Sequence, residues 1–167
     1  MRTVCVLLAV AAAALATAAS AAAPAAPTKG VVIEGASFAG LPLGLTPAQL
    51  RARWGRRYGI CDTCRAPTWF YTFVRYKPQG IGVQFSGGRT AAYFTLGAPK
   101  GWRTLRGVRI GDQTGKVTRT YGAAPTVHCL GYDVQQVVVR RTLVLFYLNG
   151  IQVYGLGLMN RGAEPCI

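Results

Sequence analysis

A short segment near the start of the chain occurs twice, and this repeat restricts what the chain can fold into. Residues 43–55 read LGLTPAQLRARWG, and residues 110–122 read IGDQTGKVTRTYG. In both copies an aliphatic residue precedes a glycine, and an aromatic residue followed by glycine closes the segment: Trp54-Gly55 in the first, Tyr121-Gly122 in the second. A gap-free match with both glycines in register indicates a duplicated unit, so we predict two tandem repeats.

Each repeat is predicted to open with a short helix. Thr46 suits the N-cap of the first helix, because its hydroxyl can accept a hydrogen bond from a free backbone N–H. Asp112 or Thr114 is expected to fill the same role in the second copy. Leu50 and Trp54, four residues apart, give the first helix one apolar stripe with which to pack on a sheet.

Strand patterns follow each helix. They are rich in β-branched and aromatic residues, and turn residues separate them. The Asn149-Gly150 pair is typical of a type I′ hairpin, and Ser86-Gly87-Gly88 also predicts a tight turn. We expect an α+β fold with two tandem repeats, each a short helix or helix pair packed on a 3-4-stranded antiparallel sheet. The predicted strands span residues 68–76, 81–85 and 89–96 in the first repeat, and 133–141, 142–148 and 151–158 in the second.

The sequence divides into five segments. Met1-Arg2 followed by an apolar, alanine-rich run is typical of a cleaved signal peptide, and this predicts export. An uncleaved anchor is the alternative, because the run approaches the about 20 residues that span a bilayer. The predicted boundaries are a signal peptide at 1–23, a linker and N-terminal lead-in at 24–40, the first helix-sheet repeat at 41–96, a flexible basic linker at 97–107, and the second repeat at 108–167.

Four cysteines remain after the predicted cleavage: Cys61, Cys64, Cys129 and Cys166. An even number in an exported chain indicates disulfides. Of the three possible connectivities, we prefer Cys61–Cys64 with Cys129–Cys166, because it places one bridge in each repeat. The CxxC follows a helix and precedes a strand, the wrong context for a thioredoxin-like redox site. A zinc site would need a second close pair.

Residues suited to catalysis are few. His128 is the single histidine, the mature serines Ser37 and Ser86 lie in turn-like contexts, and the five acidic residues are scattered. A Cys–His nucleophile at His128-Cys129 is the alternative, but Cys129 is expected to be oxidised. We therefore expect no catalytic residues, no cofactor and no metal.

Positive charge is the main feature of the composition. The formal net charge is +14, and removal of Arg2 with the signal peptide would leave +13. Such a surface attracts anionic polymers, and export favours phosphate- or carboxylate-bearing cell-wall glycans over intracellular nucleic acid. The candidate polymer-binding residues are Arg51, Arg53, Arg56, Arg57, Lys100 and Arg103.

The two segment openings resemble those of the secreted β-lactamase-inhibitor protein of actinomycetes. A single unit is similar to the small lipoprotein of the bacterial outer-membrane assembly machinery. The matching residues are Leu43-Gly44-Leu45-Thr46 with Trp54-Gly55, and Ile110-Gly111-Asp112 with Tyr121-Gly122. The resemblance implies a saddle of two small sheets with helices behind, and a concave aromatic and polar face that grips a partner protein. One cysteine pair in each repeat also suits this plan.

The leading hypothesis is a secreted, non-catalytic, inhibitor-like module that binds an extracellular enzyme or an envelope protein on its sheet face. The predicted contact residues are Trp69, Tyr71, Arg75 and Gln84. An anionic cell-wall polymer is the alternative partner. The strand face formed by Val144, Phe146 and Leu148 is apolar, and the sequence leaves open whether it is core or a partner-binding surface.

Overall fold

A computed structural model describes residues 24–71, 80–97 and 99–166, so the predicted signal peptide lies outside the described residues. Two short helices and eleven strands form in these parts of the chain. In chain order they are β1 Gly30–Ile33, β2 Ser37–Phe38, α1 Pro47–Trp54, β3 Tyr58–Cys61, β4 Thr68–Tyr71, β5 Gly80–Ser86, β6 Arg89–Leu96, β7 Trp102–Thr104, α2 Thr114–Tyr121, β8 Thr126–Cys129, β9 Tyr132–Val139, β10 Thr142–Asn149 and β11 Gln152–Asn160.

The strands form one large sheet and one small sheet. The large sheet has eight strands in the order β3-β4-β5-β6-β11-β10-β9-β8, with every neighbouring pair antiparallel. The small sheet has the order β2-β1-β7, in which β1 pairs antiparallel with β2 and parallel with β7. The fold is therefore α+β and rests on antiparallel sheet, as predicted.

One face of the large sheet carries both helices and the small sheet, and we call it the helix-side face. Leu50 and Trp54 of α1 and Val117 of α2 are buried there against the strands. Val144, Phe146 and Leu148 belong to the same apolar cluster, and the Tyr121 ring lies 5.2 Å from that of Phe146. This strand face, which the sequence left undecided, is core.

The segment predicted as a flexible linker, residues 97–107, contains a strand instead. Its strand β7 pairs with β1 over three residues, and Trp102 is 1% exposed with its ring 4.8 Å from Phe38. The indole N–H donates to the carbonyl of Thr28, 3.1 Å away. A single large aromatic residue thus anchors both the lead-in and the linker to the core, because an indole buries a large apolar area while its N–H still finds a partner.

Helix α1 follows its sequence signals, whereas the start of α2 does not. Thr46 caps α1, and its hydroxyl accepts a hydrogen bond from the Gln49 backbone in a reciprocal capping box. In the second copy Gln113 occupies the N-cap position with no side-chain cap, and Thr114 is already the first helical residue. Asp112 was expected to cap α2, but its carboxylate instead accepts hydrogen bonds from the Arg109 backbone N–H and the Lys116 ammonium.

The two hairpin turns differ in type. Gly87 and Gly88 both have positive φ, the pattern of a type I′ turn. In the second hairpin, Asn149 pairs with Gln152, and only Gly150 of the two loop residues has positive φ. That pattern fits a type II′ turn with glycine first, so the type I′ prediction at Asn149-Gly150 is wrong.

The two halves of the large sheet join at a short seam. Strands β6 and β11 pair over only three residues, from Gly157 opposite Phe94 to Met159 opposite Ala92. Beyond that, the backbone N–H of Leu156 donates to the Thr95 hydroxyl at 2.8 Å. The sheet is therefore continuous across the seam, and a side-chain hydrogen bond extends the short ladder.

Glycines on the opposite, tail-side face leave room for large neighbours. A Cβ on Gly82 would lie 2.1 Å from the Phe94 ring, and one on Gly157 would lie 3.1 Å from Leu145 Cβ and 3.2 Å from the Tyr93 carbonyl oxygen. The Phe94 ring is 1% exposed, so it cannot swing away. Glycine is required at these positions because the neighbouring strand and its side chains occupy the space of a side chain.

We expect Gly82→Ala to lower the free energy of unfolding by about 1–3 kcal/mol, because the methyl group would overpack the site against Phe94. Gly115→Ala in α2 is the control. Its Cβ would meet only the flexible end of Arg119 at 3.4 Å. That change should stabilise the protein by about 0.5 kcal/mol. Urea unfolding of both variants tests this, and equal stabilities would contradict the packing argument.

Candidate functional site

The predicted sheet-face site is not assembled on one surface. Trp69 and Tyr71 lie on the helix-side face, where both pack with the core cluster. Gln84 pairs with Thr68 and Ala92 on the tail-side face, and it is 4% exposed. Arg75 lies outside the described residues. The aromatic residues of β4 alternate between the two faces of the sheet as predicted. However, Tyr71 is buried, and Gln84 lies on the face opposite to Trp69 and Tyr71.

Trp69 and Tyr58 instead form a stacked aromatic pair at the edge of the helix-side face. Their ring centroids are 4.0 Å apart, and the Arg51 guanidinium lies 5.5 Å from the centre of the Trp69 ring. Burial raises the pKa of the neighbouring Tyr71 hydroxyl well above its usual range. This cluster holds the last turn of α1 against the sheet, and a cation–π contact fixes one arginine there.

Most of the positive charge lies on the helix side. We call residues 24–57 and 99–124, which contain both helices and the small sheet, the helix-side layer. Among the described residues this layer has two carboxylates, Glu34 and Asp112, and the rest of the structure has three, Asp62, Asp133 and Glu164. The layer's eleven basic residues are Lys29, Arg51, Arg53, Arg56, Arg57, Lys100, Arg103, Arg106, Arg109, Lys116 and Arg119.

The charge is therefore unevenly distributed. The helix-side layer has a net charge of +9, from eleven cations and two carboxylates. The remaining described residues have five cations, Arg65, Arg89, Arg140, Arg141 and Arg161, and three carboxylates, a net charge of +2. All six residues predicted to bind polymer lie in the layer. The other five were missed because they follow different elements in the sequence and only the fold brings those elements to one side.

The two carboxylates of this layer are already engaged. The Tyr121 hydroxyl hydrogen-bonds the Glu34 carboxylate and lies 2.7 Å from the Thr104 hydroxyl, while the Arg106 guanidinium lies 5.2 Å above the Tyr121 ring. Burial and the neighbouring Glu34 raise the pKa of Tyr121. Hence Glu34 holds the second helix to the small sheet through its Oε1.

Asp112 is held in the same way at the start of α2. Its Oδ2 lies 2.7 Å from Lys116 Nζ and 2.6 Å from the backbone N of Arg109. Burial alone would raise the pKa of this carboxyl, but the two hydrogen bonds and the charges of Lys116 and Arg109 outweigh it and lower the pKa. The carboxylate is therefore ionised at neutral pH.

The tail-side face is covered by two disulfide-bonded segments. Cys61–Cys64 and Cys129–Cys166 both form, as predicted, with Cα–Cα distances of 5.5 Å. Arg65, beside the first bridge, lies 4.0 Å from Glu164 of the C-terminal tail. Both disulfides line one cavity of about 610 Å³, together with this ion pair. The loop after β3 and the C-terminal tail thus meet across the tail-side face.

His128 lies at the edge of the large sheet. Its Nδ1 is 2.7 Å from Asp133 Oδ1, and the side chains are 81% and 44% exposed. Its neighbour Cys129 is held in a disulfide. No group of three or more potential metal ligands occurs among the described residues. This is a hydrogen bond between exposed side chains, and solvent-exposed contacts of this kind contribute little stability.

None of the helices in the described ranges is long and apolar enough to cross a membrane. No protein-family model and no curated protein matches the sequence. Among solved structures, the chain is similar to an extracellular protein containing an SCP domain from Bacillus anthracis str. Ames, with a TM-score of 0.53 and 12% identity. The match covers 71% of this chain and 44% of that one, so this chain spans less than half the length of the protein it resembles.

We expect the two disulfides to differ in their contribution to stability. In the chain-entropy model, Cys129–Cys166 with its separation of 37 residues should contribute roughly 4 kcal/mol, and Cys61–Cys64 with its separation of 3 roughly 2 kcal/mol. Replacing each pair by serine and measuring denaturant unfolding tests this. Equal losses, or a larger loss for Cys61–Cys64, would contradict the expectation that the disulfide closing the longer loop contributes more stability.

Proposed function

We propose that this protein is an exported, non-catalytic binding module whose helix-side layer binds an anionic polymer of the cell envelope. The observation that carries the proposal is the +9 charge of that layer against +2 for the rest of the described structure. Nine of its eleven cations are exposed. A one-sided array of exposed cations attracts a polyanion over distances of about 8–10 Å at physiological salt, whereas an evenly spread charge only raises solubility.

Export supports the choice of polymer. Two disulfides persist in oxidising compartments, and the similar solved structure is that of an extracellular protein. The sequence pattern of residues 1–23 adds a predicted signal peptide. Outside the cell, the abundant polyanions are phosphate- and carboxylate-bearing wall glycans, and arginine suits both groups.

We also propose that the two halves are tandem copies of one unit, which keeps the resemblance to the secreted inhibitor family. Gly44 and Gly111 both have positive φ and both donate to a strand carbonyl, that of Thr90 at 2.8 Å and of Val153 at 2.7 Å. Thr90 and Val153 in turn donate to the residues that follow these glycines, at 2.8 and 2.9 Å. This shared pattern of hydrogen bonds supports a common origin of the two openings.

We expect the polymer affinity to depend on which side loses charge. Replacing Arg53, Arg57, Arg103 and Arg119 by alanine should weaken binding to a phosphate- or carboxylate-bearing polymer by roughly tenfold or more. Each lost contact contributes at least a few tenths of a kcal/mol to the binding free energy, and four such losses sum to about the 1.4 kcal/mol that corresponds to a factor of ten. The matched comparison is between two triple variants, Arg53, Arg57 and Arg119 of the layer against Arg65, Arg141 and Arg161 of the remaining residues; Arg140 is left intact because a Cβ on Gly35 of the layer would lie 3.4 Å from its Cδ. Binding is measured by affinity chromatography or titration at low and moderate salt; equal losses in both triple variants would overturn the proposal.

A protein partner is the second candidate, and exposed aliphatic residues favour it. Leu130 is 100% exposed at the turn after β8, and Ile151 is 70% exposed at the turn after β10. The two turns line one cavity of about 380 Å³, to which both Gly131 and Gly150 contribute. Large apolar side chains at neighbouring turn tips are typical of an interaction surface. This surface lies at one end of the large sheet, away from the buried Gln84.

Replacing Leu130 and Ile151 by aspartate tests this second candidate. Both side chains are exposed, so stability should change by less than about 0.5 kcal/mol. A specific protein captured from culture supernatant by the unchanged chain at moderate salt should be lost by the double variant. A partner retained equally by both, or capture that disappears with salt alone, would rule out an apolar interface at these turns.

A further inference from the structure

Two arginines face each other where the chain after β7 folds back beside this edge strand of the small sheet. Arg103 of β7 and Arg109 form an antiparallel bridge, flanked by hydrogen bonds from Thr104 N to the Val108 carbonyl at 2.8 Å and from Ile110 N to the Trp102 carbonyl at 3.3 Å. Because these bonds join the neighbours, Arg103 and Arg109 are a non-hydrogen-bonded pair. In such pairs the side chains lie closest, with Cβ atoms about 4.5–5.5 Å apart.

The backbone between the two arginines is firmly held. Thr104 and Val108 are fully buried, and the Val108 N–H also donates to the Thr104 hydroxyl at 3.2 Å. The Gly107 N–H closes the turn by donating to the Thr104 carbonyl at 3.1 Å. The arginines are exposed and point away from this buried side. The bridge fixes the two residues directly opposite each other, where like charges repel.

Few carboxylates compensate this pair. Asp112 accepts hydrogen bonds from the Lys116 ammonium and the Arg109 backbone N–H, so one carboxylate serves two nearby cations, Lys116 and Arg109. Glu34 is bound to Tyr121 and to the Arg106 N–H. None of the ion pairs formed among the described residues includes the guanidinium of Arg103 or of Arg109. The guanidinium groups of these two paired residues therefore keep donors available for a ligand.

We propose that Arg103 and Arg109 form a phosphate-binding site, with one guanidinium on each side of a phosphate ester. This deepens the proposed polymer binding and rests on it. A carboxylate has two oxygens in one plane, and a single arginine fork already engages both. A phosphate group presents its oxygens tetrahedrally, so two converging forks can each bind it, and arginine matches this geometry better than lysine. The pair thus predicts a preference for phosphate over carboxylate polymers.

The test compares inorganic polyphosphate with polyglutamate at equal charge concentration. The unchanged chain should bind polyphosphate roughly tenfold more tightly, which corresponds to one additional charge-assisted contact. Arg103→Lys with Arg109→Lys keeps the charge but removes the forks, so it should still bind both polymers and lose most of the preference. Arg140→Lys with Arg141→Lys is the matched control and should keep the preference. Thermal unfolding of all variants should be unchanged.

The outcomes separate this proposal from the previous one. If the lysine variant at 103 and 109 keeps the full preference, the phosphate site is overturned while polymer binding stands. If the unchanged chain binds neither polymer, both proposals fail. A parallel arm uses phosphatidylglycerol vesicles. Binding to vesicles that also depends on the two arginines supports the phosphate chemistry and identifies a lipid headgroup as a source. Polyphosphate binding alone identifies a soluble polymer.

Discussion

The large sheet, helix α1 and the small sheet meet at one buried side chain, Tyr93 in the middle of the large sheet. Its ring lies 5.5 Å from Trp54 of α1 and 5.7 Å from Phe38 of the small sheet, and Phe38 in turn contacts Trp102. Its hydroxyl donates to the Pro42 carbonyl at 3.0 Å, and burial raises its pKa to about 12. Aromatic rings of this kind each bury about 150–250 Å², so this chain of contacts fixes the helix and the small sheet to the strands.

The elements that local signals specify could be predicted, and those that depend on distant partners could not. The helix cap at Thr46 and the glycine turns depend on interactions within a few residues, so α1 and the hairpins can be predicted from the sequence. Strand β7 pairs in parallel with β1, some seventy residues earlier, and no local pattern marks that pairing. Trp102 was the available signal, because a flexible linker would leave this large aromatic side chain exposed to water, which is unfavourable. Its presence indicates that the segment packs on the core, where Trp102 is buried.

The candidate site shows the same division. Alternation in residues 68–71 correctly separates Trp69 and Tyr71 from Phe70, but periodicity does not say which face a helix will cover. Gln84 reads as a polar surface residue, yet the sheet and its cover leave it 4% exposed. The charged layer could be predicted only in part, because Arg53 and Arg119 lie in separate helices that the order of strands places on one face.

The strand order explains why the charges gather on one side. From one edge of the large sheet to its centre the strands follow in the order β3-β4-β5-β6, and from the other edge in the order β8-β9-β10-β11, so each half is built in chain order. The two halves meet where β6 and β11 pair antiparallel. Under the proposed duplication this order corresponds to a two-fold axis normal to the sheet, an operation that leaves each face unchanged. Both helices must then cover the same face, and the cations on their outer surfaces add rather than cancel. A polyanion needs such an extended array more than it needs a deep pocket, since its charges repeat along its length. The proposed phosphate site at Arg103 and Arg109 would add a paired contact that distinguishes one anionic group from another.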